Sequence, residues 1–283
     1  MQAIRRPFVA GHWYPASASA LAADVDGHLA RASRHLPGRL VALAVPHAGL
    51  MYSGPVAAHA YGLLRDRPID VAVLVGPSHH TGFAGVALYP SGGFETPFGV
   101  VPIDADCASA VQAAAPHLVR PDTAPHAREH SLEMQLPFLQ RVAPHASIVP
   151  LMMGQQTADT ARELGHALVR ALEGRRALLV ASTDLSHYHD ARTAARLDAL
   201  VIDCVSRFDP DALQHLLDVR PGHACGGGPT VAVMRAAKLA GADAAVVLKY
   251  ADSGDVSGDK SSVVGYLAAA FGNFRRDNGS GAA

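Results

Sequence analysis

Three apolar runs in this chain each end in a turn that carries histidine. Leu40 to Val45 leads into Pro46-His47-Ala48-Gly49, Val71 to Val75 into Gly76-Pro77-Ser78-His79-His80, and Ala177 to Ala181 into Ser182-Thr183-Asp184-Leu185-Ser186-His187. Imidazole both titrates near neutrality and ligates transition metals, so turns of this kind meeting in space would supply part of a metal site. His47 and His79 are the first ligand candidates, because each follows a rigid strand and stands beside Pro and Gly that permit a sharp change of direction. Cys225 is the third. It precedes Gly226-Gly227-Gly228-Pro229-Thr230 at the expected start of a helix, where unpaired N–H groups should lower the thiol pKa and favour a thiolate ligand or nucleophile. His187, three residues after Asp184, is placed to act as a general acid or base, with Asp184 fixing its tautomer or supporting a ligand from behind. Glu129 and Glu133 flank His130 four residues apart and would share one face of a helix.

The elements that must position these residues alternate along the chain. Runs apolar at nearly every position, at Leu40 to Val45, Val71 to Val75, Ile148 to Met152, Ala177 to Ala181, Ala244 to Leu248 and Val263 to Ala270, suggest strands buried on both faces. Helical spacing appears between them, as in Ala161 to Leu172, where Leu164, Leu168 and Leu172 recur before Gly174. Other helices are expected at Ala18 to Ala32, Pro55 to Leu64, Ala105 to Ala114, Leu132 to Val142, Ala191 to Val205, Pro210 to Leu217 and Pro229 to Ala240. This predicts an α/β fold with a central, mostly parallel or mixed sheet flanked by helices. In such sheets ligands bind at the carboxyl ends of the strands, where the three histidine turns lie. No repeat or linker interrupts the pattern, so residues 1–274 read as one domain and 275–283 as a disordered tail.

Composition narrows the classes. At 49% apolar and 17% charged the 283 residues describe a globular chain, and 24 Lys and Arg against 25 Asp and Glu leave no basic footprint for nucleic acid. No apolar run approaches a membrane span and no secretory leader is visible, so the cytoplasm is the expected location. Three cysteines, Cys107, Cys204 and Cys225, share no zinc-knuckle spacing and are odd in number, which fits a reducing compartment. Of 16 histidines, those at 28, 35, 59, 80, 117, 145, 166, 189 and 215 fall in helices or loops and read from their spacing as ordinary residues.

Taken in order, Gly11-His12-Trp13-Tyr14-Pro15, Pro46-His47-Ala48-Gly49, Gly76-Pro77-Ser78-His79-His80, Glu129-His130-Ser131-Leu132-Glu133-Met134-Gln135-Leu136-Pro137-Phe138, Ser182-Thr183-Asp184-Leu185-Ser186-His187-Tyr188 and Tyr250 to Lys260 resemble the Memo family. Its bacterial and archaeal members are called AmmeMemoRadiSam system protein B. The resemblance runs from about Phe8 to Phe271 and implies a fold similar to LigB-type class III extradiol dioxygenases, which are non-haem iron enzymes. It further implies that His47, His79 and Cys225 hold iron or copper, with zinc as a third choice, beside His187 and Asp184. Trp13 and Tyr52 match aromatic residues of the same pocket, in which a eukaryotic relative is implicated in binding a phosphotyrosine peptide. His80, Glu129 and His130 join them as expected substrate contacts. Extradiol dioxygenases use two His and one carboxylate, whereas the matching third position here is a thiol, which shifts the preference toward copper(I), iron or zinc. His12 stands where relatives often have Ser, and Leu50-Met51 where many have an aromatic. The family name implies association with radical-SAM and AMMECR1-type proteins.

The expected function is therefore a metal-binding protein with a dioxygenase-like site, redox-active on a small molecule or a modified substrate. Two alternatives stand beside it: a non-catalytic module that recognises a peptide or anionic ligand in the same pocket, and a true extradiol dioxygenase using Glu129 or Glu133 as its carboxylate.

Overall fold

The continuous apolar runs become strands covered on both faces. The computed structural model describes residues 3–32 and 35–274; the tail expected at 275–283 lies outside them. Strands β1 (Ile4–Arg5), β2 (Gly38–Val45), β3 (Val71–Pro77), β4 (Val86–Leu88), β5 (Gly93–Thr96), β6 (Gly99–Pro102), β7 (Val119–Pro121), β8 (Ser147–Met153), β9 (Ala177–Ser182), β10 (His187–His189), β11 (Ala244–Asp252) and β12 (Val263–Phe274) alternate with helices. The main sheet runs β10-β12-β2-β9-β3-β8-β4-β7, with β11 paired to β12. Its centre, β2-β9-β3-β8, is parallel, and antiparallel partners close it at β12 and β4. Every residue of β3 is buried. A small second sheet, β1-β5-β6, ties the N-terminal segment to a hairpin.

Helices α1 (Ala18–Arg31), α2 (Leu50–Tyr61) and α4 (Leu136–Val142) pack together as one layer; α3 (Ala105–Ala114), α5 (Ala158–Leu172), α7 (Pro210–Val219) and α8 (Gly227–Leu239) form another, and α6 (Ala191–Ser206) packs against α7, β11 and β12. Short polar side chains start several of them. Ser17, Asp104, Thr157 and Asp209 each accept a backbone N–H from the first turn of the helix that follows. Helix α2 departs from expectation: it begins at Leu50 and carries Pro55 inside it, forfeiting the one hydrogen bond that the missing N–H would have made. The result is a single α/β domain whose mixed sheet is flanked by helices. No helix among the described residues is long and apolar enough to cross a membrane.

Register fixes where the site forms. Val45 of β2 pairs with Ser182 of β9, and Ala181 of β9 pairs with Val75 of β3. The three adjacent parallel strands thus end level with one another. Residues two positions past their ends, His47, Asp184 and His79, emerge side by side.

Candidate metal centre

His47 leaves β2 as a buried residue whose backbone N–H donates to Asp184 Oδ1 at 2.7 Å. Its ring tautomer follows from the network around Ser182. The Ser182 hydroxyl donates its only proton to the Ser131 carbonyl at 2.7 Å and accepts from Gln135 Nε2 at 2.8 Å. It can then only accept from His47 Nδ1, 2.9 Å away, which leaves the lone pair on His47 Nε2. Gln135 is itself held by Tyr61, whose hydroxyl donates to its Oε1 at 2.9 Å.

His79 is oriented in the same way by a carboxylate. Its Nδ1 donates to Glu129 Oε1 at 2.9 Å and its backbone N–H to Oε2 at 2.6 Å, while the N–H groups of His130 and Ser131 also donate to Oε1, each at 2.9 Å. Burial alone would raise the Glu129 pKa, but the hydrogen bonds that His79 donates to it outweigh burial and hold this carboxyl well below the usual range. Gly76 makes the arrangement fit: a Cβ there would come within 2.7 Å of Leu132 Cδ2 and 2.9 Å of Ser131 Oγ, so the Glu129 to Glu133 segment can lie directly on the end of β3.

That segment delivers a third imidazole. His130 stacks on His79 with ring centroids 4.6 Å apart and meets His47 edge-on at 5.5 Å; His47 and His79 are 5.2 Å apart. One ligand nitrogen from each of His47, His79 and His130 lies within 4.8 Å of the others, a span that an ion bound at about 2.0–2.1 Å can draw together. Desolvation, then the neighbouring imidazoles, push His47 and His130 each down to about 3. Both rings are held neutral, which is the ligating form.

The structure therefore groups His47 and His79 with His130, a residue expected only to touch substrate. Cys225 lies to one side, with Sγ 3.2 Å from His47 Nε2. Nitrogen and sulfur ligands of one tetrahedral ion, at about 2.0 and 2.3 Å, sit roughly 3.5 Å apart, so this thiol is close enough to share an ion with His47. Its surroundings do not lower its pKa as a helix N-terminus would. Desolvation and then the Asp184 carboxylate push it up, because α8 starts two residues later and the thiol faces Asp184 instead. The Asp184 carboxyl is raised to about 6, mainly by desolvation. His187 donates from Nδ1 to the Leu185 carbonyl at 2.8 Å, so its Nε2 also carries the lone pair.

Glu129 and Glu133 do not share a face. Glu129 stands in irregular backbone just after a turn, while Glu133 opens a 3-10 turn, Glu133–Gln135, and points toward the N-terminal segment. Glu133 accepts from Arg5 Nη1 (2.8 Å), from the N–H groups of Phe8 and Val9, and from the Tyr14 hydroxyl at 2.7 Å. It anchors the segment leading to Trp13, whose ring rests on His130 at 4.3 Å. His80 is exposed, with its ring 6.3 Å from His130. Tyr52 lies in a cleft of about 520 Å³ that also borders Trp13, Ala48, Gly49 and Tyr188.

Sequence reasoning missed the supporting residues Ser131, Gln135, Ser182 and Tyr61, and the anchor Arg5. Ser131, Gln135 and Ser182 lie inside the motifs that carry the chemistry, which was the available signal; Tyr61 and Arg5 carried none.

Comparison with known proteins bears on the family and the fold. The chain is 39% identical over 271 residues to a MEMO1 family protein of Methanosarcina mazei, covering 94% of this chain and 98% of that one. It is 38% identical over 273 residues to one from Methanothermobacter thermautotrophicus, covering 93% and 98%. Among solved structures, an uncharacterized protein, JW3007, from Escherichia coli K12 shares the fold with a TM-score of 0.56 at 17% identity, over 83% of this chain and all of that one. The model of the family described as "Memo-like protein" matches residues 5–270, and the chain belongs to the Memo family.

Proposed function

We propose that this protein is a mononuclear non-haem metalloprotein, with iron or copper held by His47, His79 and His130, that performs redox chemistry on a small organic ligand entering beside Trp13 and Tyr52. The observation that carries the reading is the shared setting of the imidazoles. His47 and His79 each have Nδ1 tied from behind, by Ser182 and Glu129, so that Nε2 is free to ligate, and His130 closes the group. Such preorganisation is wasted on structural histidines. Bound there, iron or copper would supply one-electron chemistry and open coordination positions. The chain's own groups would do the rest: His187 Nε2 accepts or returns a proton, the Asp184 carboxyl holds the His47 backbone in place, and Trp13 shields His130 from water. Cys225 is the candidate fourth ligand. Three free cysteines, two of them buried, support a reducing compartment such as the cytoplasm.

Neither Glu129 nor Glu133 is presented as an open ligand, since each is consumed by the donors described above, and this weighs against extradiol ring cleavage by a two-histidine, one-carboxylate centre. The test is metal analysis of protein purified without oxygen. About one equivalent of iron or copper is expected in the wild type and well under a tenth in the His47→Ala/His79→Ala variant. A thiolate-to-metal charge-transfer band lost in Cys225→Ser would make the thiol a ligand. No stoichiometric metal in either protein overturns the proposal and leaves a ligand-binding module that uses the same cleft.

A further inference from the structure

The cleft beside the histidines has a composition that selects its ligand. Its walls are aromatic, with Trp13, Tyr52, Tyr188 and Tyr266, and its rim carries Asp259 and Ser262. Apart from His12, no basic side chain lines it among the described residues. The nearby Lys260 is committed elsewhere: its ammonium bonds Asp252 at 2.7 Å and Asp255 at 2.6 Å. Asp259 is exposed, and its Oδ1 accepts from the Ser261 N–H at 2.8 Å and the Ser261 hydroxyl at 2.6 Å. These bonds orient the carboxylate without neutralising it.

The placement of Tyr188 is the second observation. His187 pairs with Val264 and His189 with Val263, so Tyr188 is the extra residue of a β-bulge. Its φ is 63°, in the left-handed region that a bulky side chain rarely occupies, and it is 78% exposed. Bulges re-aim side chains, and backbone strain of this kind persists where the surrounding structure imposes it. Here the result is a tyrosine that borders the cleft instead of packing into the core.

We propose that this cleft binds the cationic head of a ligand, an alkylammonium or guanidinium group, with Trp13, Tyr52 and Tyr188 offering their ring faces and Asp259 offering its charge. Cations are attracted to the negative faces of aromatic rings, and a carboxylate at the rim adds to that attraction. An anion such as a phosphate monoester would meet Asp259 with no Lys or Arg to offset it. This deepens the reading of the site as a ligand-accepting metal centre: the rest of the ligand would extend past Ala48 and Gly49 toward His47.

Trp13 is the only tryptophan of the chain, so its fluorescence reports directly on the cleft. Titration with benzyltrimethylammonium is expected to give a saturable change in both metal-free and metal-loaded protein, and phenyl phosphate none over the same range. Affinity for the cation should fall roughly three- to tenfold in Asp259→Asn and again in Tyr188→Ala. Phenyl phosphate binding as tightly as the cation, or an Asp259→Asn variant that binds the cation as well as wild type, would overturn the proposal. Metal uptake is measured on the same samples. A protein that takes up metal but shows no saturable cation response refutes the cleft assignment alone, and one that binds the cation but no metal refutes the metal centre alone.

Discussion

Glu129→Gln isolates what the carboxylate behind His79 contributes. In the native arrangement Oε1 accepts three donors, from His79 Nδ1 and the N–H groups of His130 and Ser131, and Oε2 accepts the His79 N–H. A glutamine amide keeps one oxygen for the cluster of three but turns an NH2 group toward the His79 N–H, donor against donor. It also removes the negative charge that stabilises a metal-bound imidazole. One charge-assisted bond is worth about 1.5–3 kcal/mol. Outer partners of metal-bound histidines typically change affinity by about 10- to 100-fold, which is about 1.4–2.7 kcal/mol, so the two figures agree. The assay is a competition titration of metal-free protein against a chelator of known affinity, with far-ultraviolet circular dichroism to confirm folding. A folded Glu129→Gln variant that holds the metal within a factor of two of wild type would refute the argument that this carboxylate prepares His79 to ligate.

Two further outcomes follow from the surroundings of the site. Arg5→Ala strands the buried Glu133 carboxylate and should cost about 3–5 kcal/mol in urea denaturation, with the metal ligands themselves untouched; a loss below about 1 kcal/mol would show that the N-terminal anchor is weak. Asp184 gives a pH signature in the metal-free protein. Its folded pKa of about 6 exceeds its unfolded one near 3.9, so the folded state binds the extra proton and stability falls as pH rises from about 4 through 6, by on the order of 3 kcal/mol. Asp184→Asn should flatten that slope when stability is followed by denaturant titration across this range, and an unchanged slope would assign it to another group.

Much of the fold was legible because its central strands declare themselves locally. Val71 to Val75 is apolar at every position, a pattern only a strand covered on both faces or a buried helix can use, and its length excludes the helix. Helix α3 was readable to the residue, from Ala105 to Ala114, because Asp104 caps it and its buried residues recur with helical spacing. The strands β1, β5 and β6 were not legible. Two to four residues carry no period: β5 and β6 exist as a short hairpin, and β1 exists because the distant β5 offers it a partner.

The site divides along the same line. The sequence by itself determined that His47, His79 and Asp184 stand just beyond rigid strands, and thus that they could meet. Only the tertiary structure decided that His130 joins His47 and His79, that Glu133 is an anchor for Arg5 and Tyr14, and that Cys225 faces Asp184. Those outcomes depend on contacts between segments far apart in the chain: the close approach that Gly76 permits to Leu132, and the one that Gly226 permits to Ser182, where a Cβ would strike the carbonyl oxygen. Local spacing records which way a residue leaves its own strand. It carries no record of which other loop will be pressed against it, because that is set by packing across the whole sheet.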